Sequence, residues 1–315
     1  MKAIVLDGFG EVDNFQIKEI PRPQIREKEV LLKVKAFSIN PVDIKTRKGA
    51  SLASELAKNP PVILGWDVSG IVEEVGSEVT NFKIGDEVFG MINFPGVGNA
   101  YAEYVVAPAG HLAIKPANIS HEEAAASTLA ALTAWQAFTF FGKLKKNDKV
   151  LIHAAAGGVG HYAVQIAKHF GAYVIGTSSE KNKDFVLELG ADEHIDYKNV
   201  RFEDVVSDVD FVLETIGYDN FGRSVDVVKP TGTLINLPSG LSEEVKEKAL
   251  KKGINVNFMM LVFSDPEDMK SIASLLEQGI VKAHVSKIFD FEDIQAAHTQ
   301  VESGTTAGKI VVRVS

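Results

Sequence analysis

The chain has no cysteine among its 315 residues. Disulfides, a four-cysteine structural zinc site and catalysis by a thiolate are therefore excluded. The eight histidines include no His-x-x-x-His pair, the spacing that places two metal ligands on one helix face. The chemistry of this chain must therefore rely on other side chains or on a bound cofactor.

Long apolar runs are also missing. No segment approaches the ~20 apolar residues that a membrane-spanning helix needs, and the apolar run after Met1 is far too short for a signal peptide. We therefore expect a cytoplasmic protein with no membrane partner.

Basic residues are fewer than acidic ones, with 33 Lys and Arg against 42 Asp and Glu and a net charge of -9. Surfaces that bind nucleic acid gain much of their affinity by neutralising phosphates, so a nucleic-acid partner is not expected. The 45% hydrophobic and 24% charged content is typical of a globular protein, and the length suits two domains.

The most informative segment, residues 149–179, predicts a buried strand, a glycine turn, a helix and a second strand. Ala155, Gly157 and Gly160 occupy the three positions of G-x-G-x-x-G, and Gly158 adds flexibility. The middle glycine lets the backbone approach a pyrophosphate, and the third lets the helix pack closely on the strand. A tight strand-to-helix connection is the alternative, but the position of the pattern favours a dinucleotide.

The end of the second strand bears on which dinucleotide binds. An NAD enzyme needs an Asp or Glu there for the ribose hydroxyls, whereas residues 177–179 are Thr-Ser-Ser, followed by Lys181 and Lys183. Hydroxyls and lysines favour a phosphate, and Glu180 is the one residue of this segment whose negative charge would repel it. We predict NADPH rather than NADH, with a simple polar loop as the alternative.

The rest of the chain predicts an α/β protein of two domains. Short alternating apolar runs up to about residue 116 indicate a β-rich domain, and strands alternate with helices from about residue 120, as in a doubly wound parallel sheet. Ser120 and Glu123 form a capping box that begins one long helix ending at Phe141. We predict a dinucleotide-binding domain, residues 120–282, inserted in a β-rich domain of residues 1–119 and 283–315.

Several motifs in order resemble the zinc-independent quinone oxidoreductases of the medium-chain dehydrogenase/reductase superfamily, over nearly the whole chain. The matching stretches are SINPVDIKTRKG (38–49), ILGWDVSGIVEEVG (63–76), LTAWQAF (132–138), LIHAAAGGVG (151–160) and GKIVVRV (308–314). The resemblance implies a GroES-like first domain, a Rossmann second domain that binds NADPH, and a homodimer.

The resemblance also implies roles for single residues. Tyr197 matches a tyrosine that helps to bind the adenosine 2′-phosphate, and Thr133 matches a threonine near the nicotinamide amide. Ile216, Leu237, Met260 and Leu261 come after predicted strands, and the carboxyl ends of such strands face the ligand in this kind of sheet. Each of them could instead be a loop residue or part of the core. The predicted cofactor-binding residues are Thr133, Ala155, Gly157, Gly158, Val159, Gly160, Ser178, Ser179, Lys183, Tyr197, Ile216, Leu237, Met260 and Leu261.

Asn40 and Trp66 are the predicted catalytic residues. They stand where zinc-dependent relatives have a Cys and a His, and neither ligates zinc well, so no metal is expected. The amide of Asn40 can donate to a substrate oxygen or simply stabilise a turn before Pro41, and Trp66 is either a site wall or core. Asp43 and Arg47, at i,i+4 spacing, predict an ion pair.

Without zinc, alcohol oxidation needs a side-chain base, and the Tyr-x-x-x-Lys pair of short-chain dehydrogenases does not occur. Reduction of a quinone or an α,β-unsaturated carbonyl needs less, because hydrogen bonds or water can stabilise and protonate the conjugated oxygen. We predict an NADPH-dependent reductase of such small molecules. The alternative is a dinucleotide-binding redox sensor or structural protein without significant turnover.

Overall fold

The computed structural model describes residues 1–238 and 241–314. The chain divides into two compact units, of which unit 1 is Met1–Leu132 with Phe263–Ser315 and unit 2 is Thr133–Val262. Within the described residues, no helix combines the length and apolarity that a bilayer crossing requires.

Unit 1 is dominated by strands. Its first part contains β1 (Lys2–Leu6), β2 (Phe15–Glu19), β3 (Glu29–Ile39), α1 (Pro41–Arg47), α2 (Ala53–Leu56), β4 (Asp67–Val75), β5 (Glu87–Met91), β6 (Tyr104–Pro108), β7 (Leu112–Ile114) and α3 (His121–Ala126). The next helix, α4 (Leu129–Gln136), contains the border between the two units.

Unit 2 alternates strands with helices. It contains β8 (Lys149–Ile152), α5 (Gly160–His169), β9 (Tyr173–Ser178), α6 (Lys183–Glu188), β10 (Glu193–Asp196), β11 (Val209–Glu214), α7 (Asp219–Val227), β12 (Val228–Asn236), α8 (Glu243–Lys252) and β13 (Asn255–Asn257). Unit 1 then resumes with α9 (Pro266–Glu277), β14 (Val285–Asp290), α10 (Ile294–Glu302) and β15 (Lys309–Arg313).

In the part of unit 2 that the structure describes, six parallel strands form one sheet in the order β10-β9-β8-β11-β12-β13. Numbered along the unit, this is the 3-2-1-4-5-6 order of doubly wound dinucleotide-binding folds. β8 lies at the centre because Val150, Leu151 and Ile152 are fully buried apolar residues, as a strand covered on both faces requires. The predicted doubly wound sheet is confirmed.

Unit 1 contains a sheet in the order β14-β15-β3-β4-β5-β7, with β6 also paired to β3. β14 and β15 pair in parallel, and β3 pairs antiparallel with β15, β4 and β6. The last two strands of the chain therefore rejoin the sheet that β3 to β7 form in the first part of unit 1, as the sequence predicted.

The single long helix predicted from Ser120 to Phe141 is wrong. Its capping box is present, since Glu123 N donates to Ser120 Oγ at 3.1 Å and Ser120 N to Glu123 Oε2 at 2.8 Å. The helix then stops after Ala126, resumes as α4 and ends in a π-helical turn, Ala137–Phe141. The break arises because the Leu129 amide donates to the buried Asp67 carboxylate at 2.9 Å, a tertiary contact that helical periodicity does not reveal.

The borders of the compact units differ from the predicted domain limits. α3 and α9, which the sequence assigned to the dinucleotide domain, both lie in unit 1. Ala125 and Ala126 of α3 pack against Ala36 and Val311 of the unit 1 sheet. Their small side chains let the helix lie close to these strands, a preference that alternation of elements does not encode.

Candidate functional site

The loop after β8 together with the first residue of α5, residues 153–160, is called the glycine loop below. A Cβ on Gly160 would lie 2.1 Å from the carbonyl oxygen of Ala154, and one on Gly157 would lie 3.1 Å from the same oxygen. A side chain at position 160 would therefore push α5 away from the loop, whereas position 157 is crowded but less severely. This geometry is the close strand-to-helix connection that a dinucleotide fingerprint requires.

The first turn of α5 supplies backbone donors. The first helical bonds are His161 N to Gly157 O at 3.1 Å and Ala163 N to Val159 O at 3.0 Å. The amides of Gly158, Val159 and Gly160 precede these bonds, in the position where a helix leaves N–H groups without intrahelical partners. Such amides, together with the positive end of the helix dipole, suit an anionic pyrophosphate.

Ala155, which replaces the first glycine of the pattern, is accommodated by a second glycine on β9. A Cβ on Gly176 would lie 2.8 Å from the Ala155 methyl, so the absence of a side chain at 176 makes room for that methyl. The Ala155 amide also donates to Thr177 O at 2.9 Å, which fixes the loop to the end of β9.

The end of β9 brings together several residues predicted to bind the 2′-phosphate. Ser178 and Ser179 are buried, whereas the Tyr197 side chain is 60% exposed and its amide donates to Ser178 O at 3.2 Å. Lys183 lies 3.5 Å from Glu180, an exposed ion pair. Glu180, the discordant residue of this region, is therefore held by a lysine.

The carboxyl ends of β11 and β12 meet the segment 258–261. Leu237 N donates to Glu214 O at 2.9 Å, and Met260 N donates to Asn236 O at 2.8 Å. Ile216 and Leu261 are 49% and 50% exposed, so their side chains are available to a ligand. Met260 is only 5% exposed and offers little beyond its backbone. Thr133 is buried on α4, and its place beside a nicotinamide stays a prediction.

Sequence reasoning missed Glu214, the last residue of β11. Its buried carboxylate accepts hydrogen bonds from four groups, which are Ile216 N at 2.7 Å, Gly217 N at 3.0 Å, Asn220 Nδ2 at 2.7 Å and Ser224 Oγ at 2.8 Å. The side chain therefore fixes the turn that carries Ile216. A charged residue ending a buried apolar strand was the available signal.

His153, at the start of the glycine loop, extends this network. Its Nδ1 lies 3.1 Å from Thr177 Oγ1 and its Nε2 lies 3.0 Å from Ser224 Oγ. Burial lowers the pKa of His153, with Glu214 acting in the opposite direction. The imidazole therefore links the loop to β9 and, through Ser224, to the Glu214 carboxylate.

In unit 1, Asn40 belongs to a buried polar group formed by Ser38, Asn40, Asp67 and Lys309, called the Asp67 cluster. Asn40 Nδ2 donates to Asp67 Oδ2 at 2.7 Å, and the Lys309 ammonium donates to Asn40 Oδ1. The Ser38 hydroxyl donates to the same Asp67 oxygen. Both ends of the Asn40 amide are therefore engaged, and the residue is 1% exposed.

Lys309 completes the Asp67 cluster with a buried charge. Its Nζ donates to Ile39 O at 3.0 Å and lies 3.7 Å from Asp67 Oδ2. Burial lowers the pKa of Lys309, while the nearby Asp67 carboxylate raises it. The cluster is a rigid support for Asn40, whose catalytic contact with a substrate stays a prediction.

The predicted ion pair between Asp43 and Arg47 is wrong. Arg47 Nη2 instead lies 2.7 Å from Glu302 on α10, and Nη1 donates to Gly10 O at 2.7 Å. Asp43 accepts from the Asn40 amide at 2.7 Å, as an N3 residue does at the start of α1. The partners of Arg47 are distant in sequence, so helical spacing could not identify them.

Comparison with known proteins identifies the group to which this fold belongs. Family models for the alcohol dehydrogenase GroES-like domain and for zinc-binding dehydrogenase match residues 26–117 and 189–312. The 2-methylene-furan-3-one reductase of Solanum lycopersicum is 34% identical over 322 residues, covering 99% of this chain and 79% of that protein.

Two solved structures cover almost the full length. The quinone oxidoreductase from Coxiella burnetii is 38% identical with a TM-score of 0.93, covering 100% of this chain and 99% of that one. The Escherichia coli quinone oxidoreductase complexed with NADPH is 28% identical with a TM-score of 0.88, covering 100% of both chains.

The chain belongs to the quinone oxidoreductase group of the medium-chain dehydrogenase/reductase superfamily. It is an oxidoreductase of an NAD(P)H-dependent family, with a GroES-like domain and a Rossmann domain. The glycine loop of unit 2 has the close strand-to-helix connection that such a cofactor requires, because Cβ atoms at 157 and 160 would crowd the Ala154 carbonyl oxygen.

The residues of this chain fit a bound zinc ion poorly. Among residues 1–238 and 241–314, no group of three or more His, Asp or Glu side chains lies close enough to hold a metal ion. The Asn40 amide is already engaged by Asp67 and Lys309. The indole of Trp66 is a donor only, is fully buried, and donates to Gly96 O at 2.8 Å, so this residue is core.

Proposed function

We propose that this chain is a zinc-independent, NADPH-dependent reductase of small quinones or α,β-unsaturated carbonyls. The observation that carries the proposal is the glycine loop together with the hydroxyl-rich end of β9, where no carboxylate stands at positions 177–179. An Asp or Glu at that place would accept from the ribose hydroxyls of NADH and repel a 2′-phosphate.

Different residues of unit 2 bind different parts of the cofactor. The amides of Gly158, Val159 and Gly160 receive the pyrophosphate. Ser178, Tyr197 and Lys183 face the 2′-phosphate, and the Lys183 pairing with Glu180 at 3.5 Å is exposed and readily exchanged. NADPH supplies the hydride. Glu214 orders the turn at Ile216 and Gly217, which follows the carboxyl end of β11.

Small carbonyl substrates are supported by the names of relatives, one of which is a 2-methylene-furan-3-one reductase and another a quinone oxidoreductase. A conjugated acceptor needs no metal to receive a hydride, because hydrogen bonds or water stabilise the oxygen on which charge accumulates. The Asp67 cluster fixes Asn40 in one orientation, but both ends of its amide are engaged and the residue is 1% exposed, so Asn40 adds no support for a substrate contact.

The test is NADPH oxidation, followed by its absorbance, with a simple para-quinone and with a short-chain enone as acceptors. We expect turnover of at least one acceptor class with NADPH and weaker turnover with NADH. Tight NADPH binding without turnover of either class would instead support a redox sensor or structural protein. A homodimer and a cytoplasmic location are part of the proposal, and light scattering of the purified chain tests the dimer.

A further inference from the structure

A histidine that no predicted role includes, His194 on β10, lies beside the hydroxyl at the end of β9. Its Nε2 is 2.8 Å from Ser178 Oγ. The parallel pairing places His194 opposite Gly176, two residues before Ser178, so both side chains lie on the same face of the strand pair. The imidazole and the serine hydroxyl are therefore in direct hydrogen-bond contact.

The protonation state of His194 limits where the Ser178 hydroxyl proton can point, since only a neutral imidazole can accept it. Oγ of Ser178 also lies 3.2 Å from Ser179 O, which can only accept. A neutral imidazole with an unprotonated Nε2 accepts the hydroxyl proton, whereas an imidazolium must donate at Nε2. Protonation therefore leaves the hydroxyl proton of Ser178 to point toward Ser179 O or toward a bound acceptor, and adds a positive charge beside it.

We propose that His194 is a proton-dependent specificity residue, whose charged form directs the Ser178 hydroxyl toward the adenosine 2′-phosphate and strengthens NADPH binding relative to NADH as pH falls. This inference rests on the proposed function, because it requires that the dinucleotide occupies the glycine loop and reaches the end of β9.

The charged groups around His194 act on its pKa in both directions. Glu180, from the turn Glu180–Asn182, and Asp196, on β10 itself, favour the imidazolium, whereas Lys183 of α6 disfavours it. Burial is the largest influence and lowers the pKa of His194 below 6.5 in the free chain. Asp196 is already engaged by Asn199 Nδ2 at 2.5 Å and Lys198 N at 3.2 Å, so it is a fixed neighbour.

A bound 2′-phosphate changes this balance. Lys183 lies 3.5 Å from Glu180 in the free chain, and a phosphate group with a charge near −2 competes for the ammonium. The same phosphate stabilises the imidazolium of His194 and raises its pKa. By linkage, binding of NADPH takes up a proton, and binding of NADH, which has no such phosphate, does not.

The experiment measures dissociation constants of NADPH and NADH for the wild type, His194→Gln and His169→Gln. His169 is exposed at the end of α5 and serves as the matched histidine control. From about pH 8 to about pH 6.5, we expect the wild-type preference for NADPH over NADH to rise at least about threefold, since one unit of pKa change corresponds to a tenfold change in affinity.

The two variants separate the contribution of His194 to the pH dependence from that of the phosphate. His194→Gln should show less than about a twofold change over the same range, whereas His169→Gln should follow the wild type. The phosphate itself titrates near pH ~6, but this contribution is common to all three proteins. Calorimetry in two buffers of different ionisation enthalpy gives a second readout, in which NADPH binding to the wild type takes up more protons than NADPH binding to His194→Gln.

The outcomes distinguish the inference from the proposed function. Equal pH dependence and equal proton uptake in the wild type and His194→Gln would overturn the role of His194, while NADPH binding and turnover would leave the proposed function intact. Absence of binding of either cofactor to the wild type would overturn both. Unchanged NADH affinity in His194→Gln shows that the variant is folded, so a lost preference then belongs to the histidine.

Discussion

Glu214 shows how one buried carboxylate shapes the cofactor side of unit 2. One oxygen accepts from Ile216 N and Gly217 N, and the other from Asn220 Nδ2 and Ser224 Oγ. In Glu214→Gln, the new NH₂ group must face two of these donors. We expect a loss of about 1–3 kcal/mol in the free energy of unfolding, because buried donors lose their acceptor.

The same substitution should raise the KM for NADPH, since the turn after β11 loses its anchor. Asp226→Asn is the matched control, because its ion pair with Lys248 is exposed and worth less than about 1 kcal/mol. Chemical denaturation and steady-state kinetics measure both effects. A Glu214→Gln protein as stable as Asp226→Asn, with an unchanged KM, would contradict the assigned role.

Asp43 and His298 should give the stability of the chain two opposite pH slopes. Burial raises the pKa of Asp43 from 3.8 to about 7, so its contribution is complete below 3.8 and is lost as pH rises toward 7. Burial, followed by the Arg47 charge, lowers the pKa of His298 from 6.5 to about 3. Its contribution is therefore complete above 6.5 and is lost as pH falls toward 3.

Between about pH 4 and about pH 6.5 the two slopes oppose each other, each on the order of 1 kcal/mol per pH unit. Relative to the wild type, Asp43→Asn should become less stable as pH falls, and His298→Gln should become less stable as pH rises. Urea denaturation at several pH values measures these slopes, and His169→Gln should match the wild type. An Asp43→Asn profile parallel to that of the wild type would show that this carboxyl does not titrate as described.

At the residue scale, the sequence revealed the glycines of the loop but not the buried polar partners. Gly157 and Gly160 are predictable because the crowding at Ala154 O arises between residues close in sequence. Lys309 contacts Asn40 across 269 positions, and His153 contacts Ser224 across 71. No local pattern links such residues, so the roles of Lys309, Ser224 and Glu214 required the structure.

At the scale of elements, the glycine loop allows a paired test of cofactor binding. Gly160→Ala places a Cβ 2.1 Å from Ala154 O, a backbone overlap that should destabilise the protein as well as abolish NADPH binding. Gly157→Ala places its Cβ 3.1 Å from the same atom, so the fold should survive while NADPH affinity falls at least about tenfold, because the methyl group occupies the pyrophosphate approach.

Calorimetric titration with NADPH and a thermal melt of each variant measure these two effects. Gly110→Ala is the control, because its Cβ would meet open space and its backbone is not in the left-handed region. We expect Gly157→Ala to keep a melting temperature near that of the wild type. Wild-type NADPH affinity in Gly157→Ala would show that the pyrophosphate does not contact this loop.

The helices also show where sequence patterns fail at this scale. The capping box at Ser120 and Glu123 marks the start of α3 correctly because capping is a local interaction. The break before Leu129 is not local, since Asp67, 62 positions earlier in the sequence, accepts the Leu129 amide. Ser127 and Thr128 also donate to Glu123 O and Ala125 O, which favours the interruption.

At the scale of the whole molecule, the doubly wound parallel sheet of unit 2 followed from the alternation of strands and helices, whereas the order of its strands required the structure. The borders of the units could not be predicted from that alternation, because α3 and α9 pack on strands of unit 1. Membership of the quinone oxidoreductase group rests on motifs spread over nearly the whole chain, and full-length relatives confirm it.

Metal removal tests the proposed zinc independence of the whole enzyme. Exhaustive treatment with a chelator, followed by gel filtration, should leave NADPH oxidation and thermal stability unchanged, because the described residues provide no cluster of metal ligands and the chain has no cysteine. Elemental analysis before treatment should find much less than one zinc per chain. Activity that is lost with the metal and restored by zinc would refute this part of the account.

The most direct measurement is a crystal structure of the chain with NADPH bound. The account predicts pyrophosphate oxygens about 2.7–3.2 Å from amides among residues 158–160, and the 2′-phosphate beside Ser178 and Tyr197. Density for NADPH elsewhere, or a saturated crystal in which the glycine loop is not in contact with the cofactor, would contradict it.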